Sequence, residues 1–318
     1  MLPVIIRCLP AAENDMIIRK RPGFLRLFFV LHGSILPSIA PQLLAILILS
    51  TALVLAHDIF PRIVPTYNNG TAFTMLGIAL STFLGFRNNA CYDRWWEGRK
   101  VWGKIISGSR DLIRQSAVLT GNEAERKTIL ELTSAFSQSL VDHLKGTSSL
   151  PSLISNYPEE FVKAYQSSHN KPSFILNQIS KCLATLHHEK ALSDIQYQMF
   201  DKSLTELNEN QTSCERLNNT RVPFAYTLLL HRTAYIFCFL IPFGFADILG
   251  WWTPVASLLV AYTLFGLDAL SDELERPFSN LDNVLPIHAM ATIIERDVCA
   301  AIGLPLPKPV EVVHFILR

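Results

Sequence analysis

Four long stretches of this 318-residue sequence carry almost no charge, and they constrain its fold more than any other feature. They lie at about 41–60, 71–86, 224–241 and 252–267. Each is close to the roughly 20 apolar residues that a helix needs to cross a bilayer. Charged residues make up 17% of the chain, against roughly 25% in soluble domains. The pattern predicts an all-α membrane protein with four transmembrane helices.

Polar segments connect these stretches, and their patterns predict further helices. Apolar residues recur every three or four positions in 104–221, which indicates soluble amphipathic helices. The second apolar stretch runs towards this region without a helix breaker, so one long helix is expected to leave the membrane. The segment 24–36 is typical of an amphipathic helix at the membrane interface. No alternation typical of a β-strand is evident.

Proline and glycine indicate where the helices are interrupted. Pro242, Gly244 and Gly250 predict a turn between the third and fourth apolar stretches. Residues 145–171 are rich in serine, proline and glycine and predict a loop or an insertion between helices of the polar region.

The sequence divides into five predicted parts. Residues 1–15 are interpreted as a possible N-terminal extension, because Met16 opens a basic run and could be the true start. The other parts are an interfacial helix with transmembrane helices 1 and 2 at 16–103, a cytosolic helical region at 104–221, transmembrane helices 3 and 4 at 222–270, and a cytosolic C-terminal helix and tail at 271–318. Lysine and arginine are concentrated before the first stretch and after the second, so both termini are expected to be cytoplasmic.

Enzyme, metal and nucleic-acid functions have no support in the sequence motifs. The six cysteines and nine histidines show no metal-ligand spacing. A phosphate-binding glycine loop, a GxSxG elbow and a carboxylate pair set up for acid–base catalysis are not evident. The formal net charge of +1 provides no field that would attract nucleic acid. We therefore predict no catalytic residue, no metal, no cofactor and no nucleic-acid partner.

Two stripes of residues four positions apart run along the second apolar stretch, each on one helix face. The small-residue stripe, which lets another helix approach closely, consists of Gly77, Ser81 and Gly85. The adjoining stripe consists of Ile78, Thr82 and Phe86. Ordinary packing between helices explains both stripes and is favoured by the spacing alone. The alternative is a ring of identical helices in which the second stripe forms a hydrophobic constriction that gates by dewetting.

Ionisable residues also lie at or inside the third apolar stretch and at the end of the second. Asp93 and Arg94 fall at the predicted membrane boundary, where they could attract ions. Arg94 is equally well explained as an ordinary cytoplasmic-side arginine. His231 and Arg232 lie inside the third stretch. Ionisable residues there are functional candidates, unless they reach out to the membrane interface.

An acidic helix face is predicted at the end of the fourth stretch. It consists of Asp268, Asp272 and Glu275, at helical spacing. A solvated helix end is favoured over a cation site as its explanation. The alternating oxygen ligands and central glycine of a calcium loop are absent.

Three motifs, in order along the chain, are similar to motifs of one family. FLGFRNNACYDRWWE at 83–97 resembles the second-helix motif of bacterial bestrophins. PFAYT at 223–227 and DELERPF at 272–278 are similar to two further motifs of that family. The order, the spacing and the layout of four stretches agree from about 16 to 297.

The resemblance implies a homopentamer with one pore on its five-fold axis, lined by the second transmembrane helix. Ile78, Thr82 and Phe86 then match the hydrophobic neck of the family, in place of the ordinary packing that spacing favours. Val222 matches a second narrow point at the cytosolic end.

The sequence departs from the family at two places. Thr82 puts a hydroxyl where the family usually has a bulky apolar residue, so the neck is expected to wet more easily. The run 279–283 has one acidic residue, whereas animal members have an acidic run there that helps to bind calcium. Calcium activation is therefore not expected.

We therefore predict a channel that passes monovalent inorganic ions passively across a bacterial inner membrane, with membrane lipid and further copies of itself as partners. Chloride selectivity is what the family implies. A cation-selective channel stays open as an alternative, because five copies of Asp93 or Asp268 near the axis would favour cations. A non-conducting scaffold that acts through 104–221 is also open. A secondary transporter would need inverted repeats or broken helices, and neither is evident.

Overall fold

The computed structural model describes residues 33–60, 70–281 and 283–310, with two short strands near the C-terminus. The predicted extension at 1–15 and most of the interfacial helix predicted at 24–36 lie outside the described residues. The strands form an antiparallel pair, β1 (Val312–Val313) and β2 (Ile316–Leu317). All other regular structure in the described chain is helical, so the all-α prediction is confirmed except for this hairpin.

Nine α-helices are present in the described chain. They are α1 (Leu36–Ile59), α2 (Gly70–Gln115), α3 (Glu123–Lys145), α4 (Glu159–Ser167), α5 (Lys171–His188), α6 (Asp194–Asn219), α7 (Phe224–Leu249), α8 (Thr253–Leu274) and α9 (Ile287–Ile302). Short 3-10 turns lie at Ser116–Val118, Ser152–Ile154 and Gly250–Trp252. The long second helix is confirmed, because α2 continues far beyond the apolar stretch at 71–86.

The described chain forms two compact units. One contains the residues up to Trp96 together with Thr220–Arg276, and we call it the apolar unit. The other contains Glu97–Asn219 and the residues from Pro277 onwards, and we call it the polar unit. The boundaries predicted from the sequence lie after residues 103, 221 and 270. They concern the membrane surface and stay predictions.

The apolar unit packs α1, α7 and α8 around the first part of α2. Its core includes Leu43 of α1, Leu84 of α2, Phe237 of α7 and Leu264 of α8. Within the described residues, two segments are long and apolar enough to cross a membrane. One is α1, with a mean hydropathy of 2.3, and the other is Phe224–Leu274, with a value of 1.7, which contains both α7 and α8. The count of four membrane crossings therefore stays a prediction.

The turn between α7 and α8 differs from the prediction. Pro242 and Gly244 lie inside α7, and the turn begins at Gly250, whose φ is +51°. Proline removes a helix hydrogen bond, but neighbouring helices make this tolerable in a membrane segment, and Pro242 is buried. A Cβ at Gly244 would lie 3.6 Å from the Phe73 ring, an ordinary van der Waals contact, so no close approach requires this glycine. The packing of neighbouring helices, which cannot be read from the sequence, allows α7 to continue through Pro242 to Leu249.

The polar unit is built around α3, which packs against α5 and α9. Buried residues of α3 include Ile129, Leu132, Phe136 and Leu140, and they recur at three- and four-residue intervals as predicted. The segment 104–221 is therefore helical over most of its length, as its periodicity predicted, and its cytosolic location stays a prediction.

Residues 145–171 were predicted as a loop or an insertion between helices, and the loop alternative is wrong in part. This segment contains the 3-10 turn at Ser152–Ile154 and the whole of α4. Tyr165 of α4 is buried, and its hydroxyl lies 2.9 Å from the Ser139 hydroxyl of α3. Burial raises the pKa of Tyr165. The ring also lies edge-on to Phe174 at 6.2 Å between centroids. A single buried aromatic anchor thus stabilises a short helix that composition alone did not predict.

Replacing this anchor is expected to destabilise the protein in two steps. Tyr165→Phe should cost about 1 kcal/mol, because it breaks the buried hydrogen bond to Ser139. Tyr165→Ala should cost about 3–5 kcal/mol, because it also leaves a cavity. Thermal unfolding of the purified protein in detergent measures both. Ser167→Ala, on the exposed side of the same helix, is the control, and equal effects of Tyr165→Ala and Ser167→Ala would contradict the anchor role.

Candidate functional site

Helix α2 presents Ile78, Thr82 and Phe86 on one uncovered face. Ile78 is 64% exposed and Phe86 is 60% exposed, and Thr82 between them is also exposed. Large apolar side chains that stay uncovered in a contiguous patch indicate a surface that contacts something else. The three residues predicted as a neck therefore share a face in the fold.

The hydroxyl of Thr82 is directed along its own helix. Its Oγ1 donates a hydrogen bond to the carbonyl oxygen of Ile78 at 2.8 Å. The hydroxyl proton is therefore used inside α2, and only acceptor lone pairs and the methyl group remain available on the exposed face. Thr82 is consequently less polar at this face than a hydroxyl with a free proton would be.

The opposite face of α2 is buried in the apolar unit. Leu80, Leu84, Arg87 and Cys91 all lie there, at intervals of three and four residues. The core of the unit thus fixes which side of α2 faces inward. The stripe is exposed because of this orientation of α2, since the residues between the buried positions face outward.

The small-residue stripe does not form one uniform surface. Gly77 faces Phe237 of α7, and a Cβ at position 77 would lie 3.1 Å from that ring. Among the described residues, a Cβ at Gly85 would meet no atom within 4 Å. The close approach predicted at Gly77 is therefore made by a helix of the same chain, and only Gly85 is left open.

A cavity of about 600 Å³ lies between α2 and α7 next to the exposed stripe. Ile78 and Thr82 line it from α2, and Ile241 and Phe245 line it from α7. Its wall is mainly apolar, as expected at membrane depth. Among the described residues, no group of His, Cys, Asp and Glu could hold a metal ion.

The interior of the apolar unit contains one arginine that the sequence analysis did not single out. Arg87 is 0% exposed. Its guanidinium forms ion pairs with Asp268 and Asp272 of α8, and Nη2 lies 3.9 Å from an oxygen of Glu275. Two features of the sequence together could have predicted this pairing: an arginine at the end of one apolar stretch, and acidic residues at helical spacing in another stretch.

The acidic face at the end of α8 is therefore not a solvated helix end. Asp268 and Glu275 are buried, and the Asp268 side chain is only 5% exposed. Asp272 is about half exposed and also binds Arg87. A buried carboxylate needs a partner, and Arg87 is that partner. Asp268, which was predicted to attract ions, is thus already paired inside its own chain.

The two ionisable residues of α7 have different surroundings. His231 Nδ1 lies 2.6 Å from Asp268 Oδ2, and its ring lies 4.4 Å from the Tyr235 ring between centroids. Arg232 is exposed. His231 thus has an acidic partner inside its own chain, whereas Arg232 faces outward, and a functional role of either residue stays a prediction.

The remaining predicted residues lie near the start of α7. Arg94 donates from Nε to the carbonyl oxygen of Glu275 at 3.3 Å and from Nη1 to that of Thr220 at 2.7 Å. Arg94 therefore connects α2 to the end of α8 and to the segment before α7. Val222 is half-buried in that segment, and Asp93 is exposed on α2. The structure does not test a role in ion flow for any of these three.

Comparison with known proteins identifies the family. A model of the bacterial/fungal bestrophin proteins matches residues 16–300. A voltage-dependent anion channel-forming protein of Mesorhizobium japonicum is 36% identical over 310 residues, which cover 96% of this chain and 100% of that protein. The voltage-dependent anion channel-forming protein YneE of Salmonella typhimurium is 37% identical over 282 residues, or 89% of this chain and 92% of YneE. A crystal structure of a bacterial bestrophin homologue from Klebsiella pneumoniae has a TM-score of 0.80 at 36% identity, covering 84% of this chain and 99% of that one.

This chain therefore belongs to the bacterial bestrophin family, and the prediction made from the three motifs is confirmed. The two relatives are named as channel-forming proteins and not as enzymes. The expectation of an ion-channel fold agrees with these findings.

Loss of the buried arginine is expected to destabilise the apolar unit strongly. Arg87→Gln would remove the guanidinium that pairs with the buried Asp268 and lies beside the buried Glu275, and would leave Asp268 with His231 alone; breaking a buried ion pair typically costs about 3–5 kcal/mol. Arg232→Gln removes an exposed arginine from the same unit and should change the free energy of unfolding by less than about 0.5 kcal/mol. Thermal unfolding in detergent compares the two variants. Equal melting temperatures would show that the Arg87 ion pairs do not support the fold.

Proposed function

We propose that this chain forms a bestrophin-type channel that passes monovalent ions passively across a bacterial inner membrane. Five copies would surround one pore, with α2 of each copy lining it. Both termini would lie in the cytoplasm, and membrane lipid would cover the outward faces of α1, α7 and α8. The relatives named as anion channel-forming proteins support this proposal.

The observation that carries the proposal is the uncovered stripe on α2. Ile78 and Phe86 are large, apolar and more than half exposed in a single chain. Side chains of this kind are unfavourable against water and are stable against lipid or against one another. A ring of α2 helices would bring five copies of each residue around an axis. A hydrophobic constriction of this kind controls conduction through its wetting.

Two further residues have proposed roles at the cytosolic side. Val222 would form a second narrow point, because it lies in the short segment between α6 and α7 and is not fully buried. Arg94, which binds the Thr220 carbonyl two residues away, would hold this segment against α2. Val222 would then limit the size of the ions that pass.

The sign of the transported ion is proposed to be negative, after the names of the relatives. The neck itself contains no charged residue that could select a sign. A cation-selective channel is the second candidate, and the exposed Asp93 favours it, since rings of acidic residues attract cations. Asp268 supports it less, because Arg87 and His231 already pair with its carboxylate.

Changes in the neck should alter the current in opposite directions. Phe86→Ala widens the constriction and should raise the current several-fold. Thr82→Ile makes it more apolar and should lower the current, because a drier constriction is harder to wet. Currents are measured with purified protein in planar bilayers under a KCl gradient. Leu80→Ile, on the buried face of the same helix, is the control. Pentameric protein that passes no current in any variant would instead favour a scaffold acting through 104–221.

Removing the charge of Asp93 should distinguish anion selectivity from cation selectivity. If five copies of Asp93 lie near the pore, Asp93→Asn should shift the reversal potential under a KCl gradient towards the chloride equilibrium potential. The shift should shrink at high salt, because ions screen an exposed charge. An unchanged reversal potential at low salt would rule out Asp93 as a selectivity residue. The sign of the wild-type reversal potential decides between anion and cation selectivity.

A further inference from the structure

Asp268 connects three helices of the apolar unit through one carboxylate. One of its oxygens binds Arg87 of α2, and the other lies 2.6 Å from Nδ1 of His231 of α7. The carboxylate itself belongs to α8 and is 5% exposed. A change at His231 is therefore transmitted to Arg87 through a single buried group.

The ion network around Arg87 has more acidic than basic groups. Arg87 supplies one positive charge, and Asp268, Asp272 and Glu275 supply three carboxylates. An excess of negative charge in a poorly solvated region is unfavourable. A proton that binds next to Asp268 reduces this excess, and His231 is the group in contact with Asp268 that can take one.

The contact geometry indicates where that proton binds. An ionised carboxylate accepts hydrogen bonds and cannot donate them, so Nδ1 of His231 has to carry a hydrogen in order to bond to Asp268. A further proton can therefore bind at Nε2. The His231 side chain is 43% exposed, whereas Asp268 is closed off, so the proton can be exchanged without opening the network. Protonation adds the attraction between opposite charges to the hydrogen bond that Nδ1 already donates to the Asp268 carboxylate.

The other helices around His231 add few charges. Helix α8 contributes Asp268, with Asp272 and Glu275 beyond it on Arg87, and α2 contributes Arg87 and, further along, Arg94. Helix α1 contributes the neutral Gln42, which donates to the Tyr235 hydroxyl beside the His231 ring. On α7 itself the neighbouring charge is the exposed Arg232.

Arg87 and Phe86 are consecutive residues of α2, so their side chains point about 100° apart. Arg87 is fixed inside the unit, and Phe86 is on the uncovered stripe. Any rotation of α2 that strains the ion pairs of Arg87 also moves the Phe86 ring. The strength of the network thus bears directly on the position of Phe86.

We propose that His231 is a positioning residue of the pore neck, and that its protonation acts through Asp268 and Arg87 on Phe86 to make conduction pH-dependent. The inference rests on the proposed role of Phe86 in the neck. Acid pH strengthens the network, and alkaline pH weakens it. Histidine is the side chain whose charge ordinarily changes between about pH 5 and pH 8, so the current is recorded over that range.

The test records currents of the purified, assembled protein in planar bilayers from pH 5 to pH 8, with both sides at the same pH. We expect a several-fold change in the wild-type current over this range. In His231→Asn the amide nitrogen takes the place of Nδ1 and can still donate to Asp268, but the side chain cannot be protonated. This variant should conduct with a current that no longer depends on pH. A wild-type pH profile in His231→Asn would overturn the proposal.

A second histidine–aspartate pair in the same unit provides the matched control. His57 Nε2 lies 3.0 Å from Asp247, and the described residues show no link from this pair to Arg87. His57→Gln should keep the wild-type pH profile, and loss of the profile in this variant would also overturn the proposal. The difference in melting temperature between wild type and His231→Asn should be larger at pH 5 than at pH 8, and a constant difference would count against proton binding at His231.

Phe86→Ala separates failure of this inference from failure of the proposed function. If Phe86→Ala raises the current while His231→Asn keeps the wild-type pH profile, the neck stands and the role of His231 is refuted. If no variant conducts, the proposed function fails and the inference fails with it.

Discussion

The buried guanidinium of Arg87 is the interaction on which the apolar unit depends. A charge that is fully removed from solvent is tolerated only with partners, and α8 supplies them at positions 268, 272 and 275, which span about two helical turns. Replacing such a network with apolar residues is often harmless to stability. Its value therefore lies in specifying a register, because a rotation or shift of α2 against α8 would leave the guanidinium without its carboxylates. With the register set, Leu84 and Cys91 face inward and Phe86 faces outward.

This orientation gives α2 two faces with different contacts. Its inner face packs as a core helix, and Gly77 allows Phe237 of α7 to come close. Its outer face keeps large apolar residues uncovered, which is unfavourable for a single chain in water and acceptable against lipid or a neighbouring copy. Thr82 fits this picture, because its hydroxyl proton is bonded to the helix backbone. The outer stripe is therefore more uniformly apolar than its sequence indicates.

Much of this fold could be predicted from charge and periodicity, and the exceptions share a cause. Stretches without charge predicted α1, α7 and α8, and the lack of a helix breaker predicted the long α2. The helices extend beyond the apolar stretches, since a helix does not have to end where a membrane does. Pro242 predicted a turn because the loss of a helix hydrogen bond at a proline can be read from the sequence. The packing of neighbouring helices that compensates for this loss cannot be read from it. The acidic face was predicted, but its partner Arg87 was not. Arg87 precedes Asp268 by 181 residues, and a single sequence does not show which distant residues are in contact.

The pairing of charges inside the chain also bears on ion selectivity. In the proposed channel, a neck made of Ile78, Thr82 and Phe86 would have no charge with which to prefer one sign, so selection would depend on polar groups elsewhere along the path. Asp268 is occupied by Arg87 and His231, and Arg94 is engaged by two backbone carbonyls. The exposed Asp93 is the acidic group that follows the stripe on α2. An anion channel built on this frame would have to offset five copies of that carboxylate with basic groups further along its path. A cation channel would need no such compensation, so the charge environment of Asp93 in the assembled protein carries more information about selectivity than the neck does.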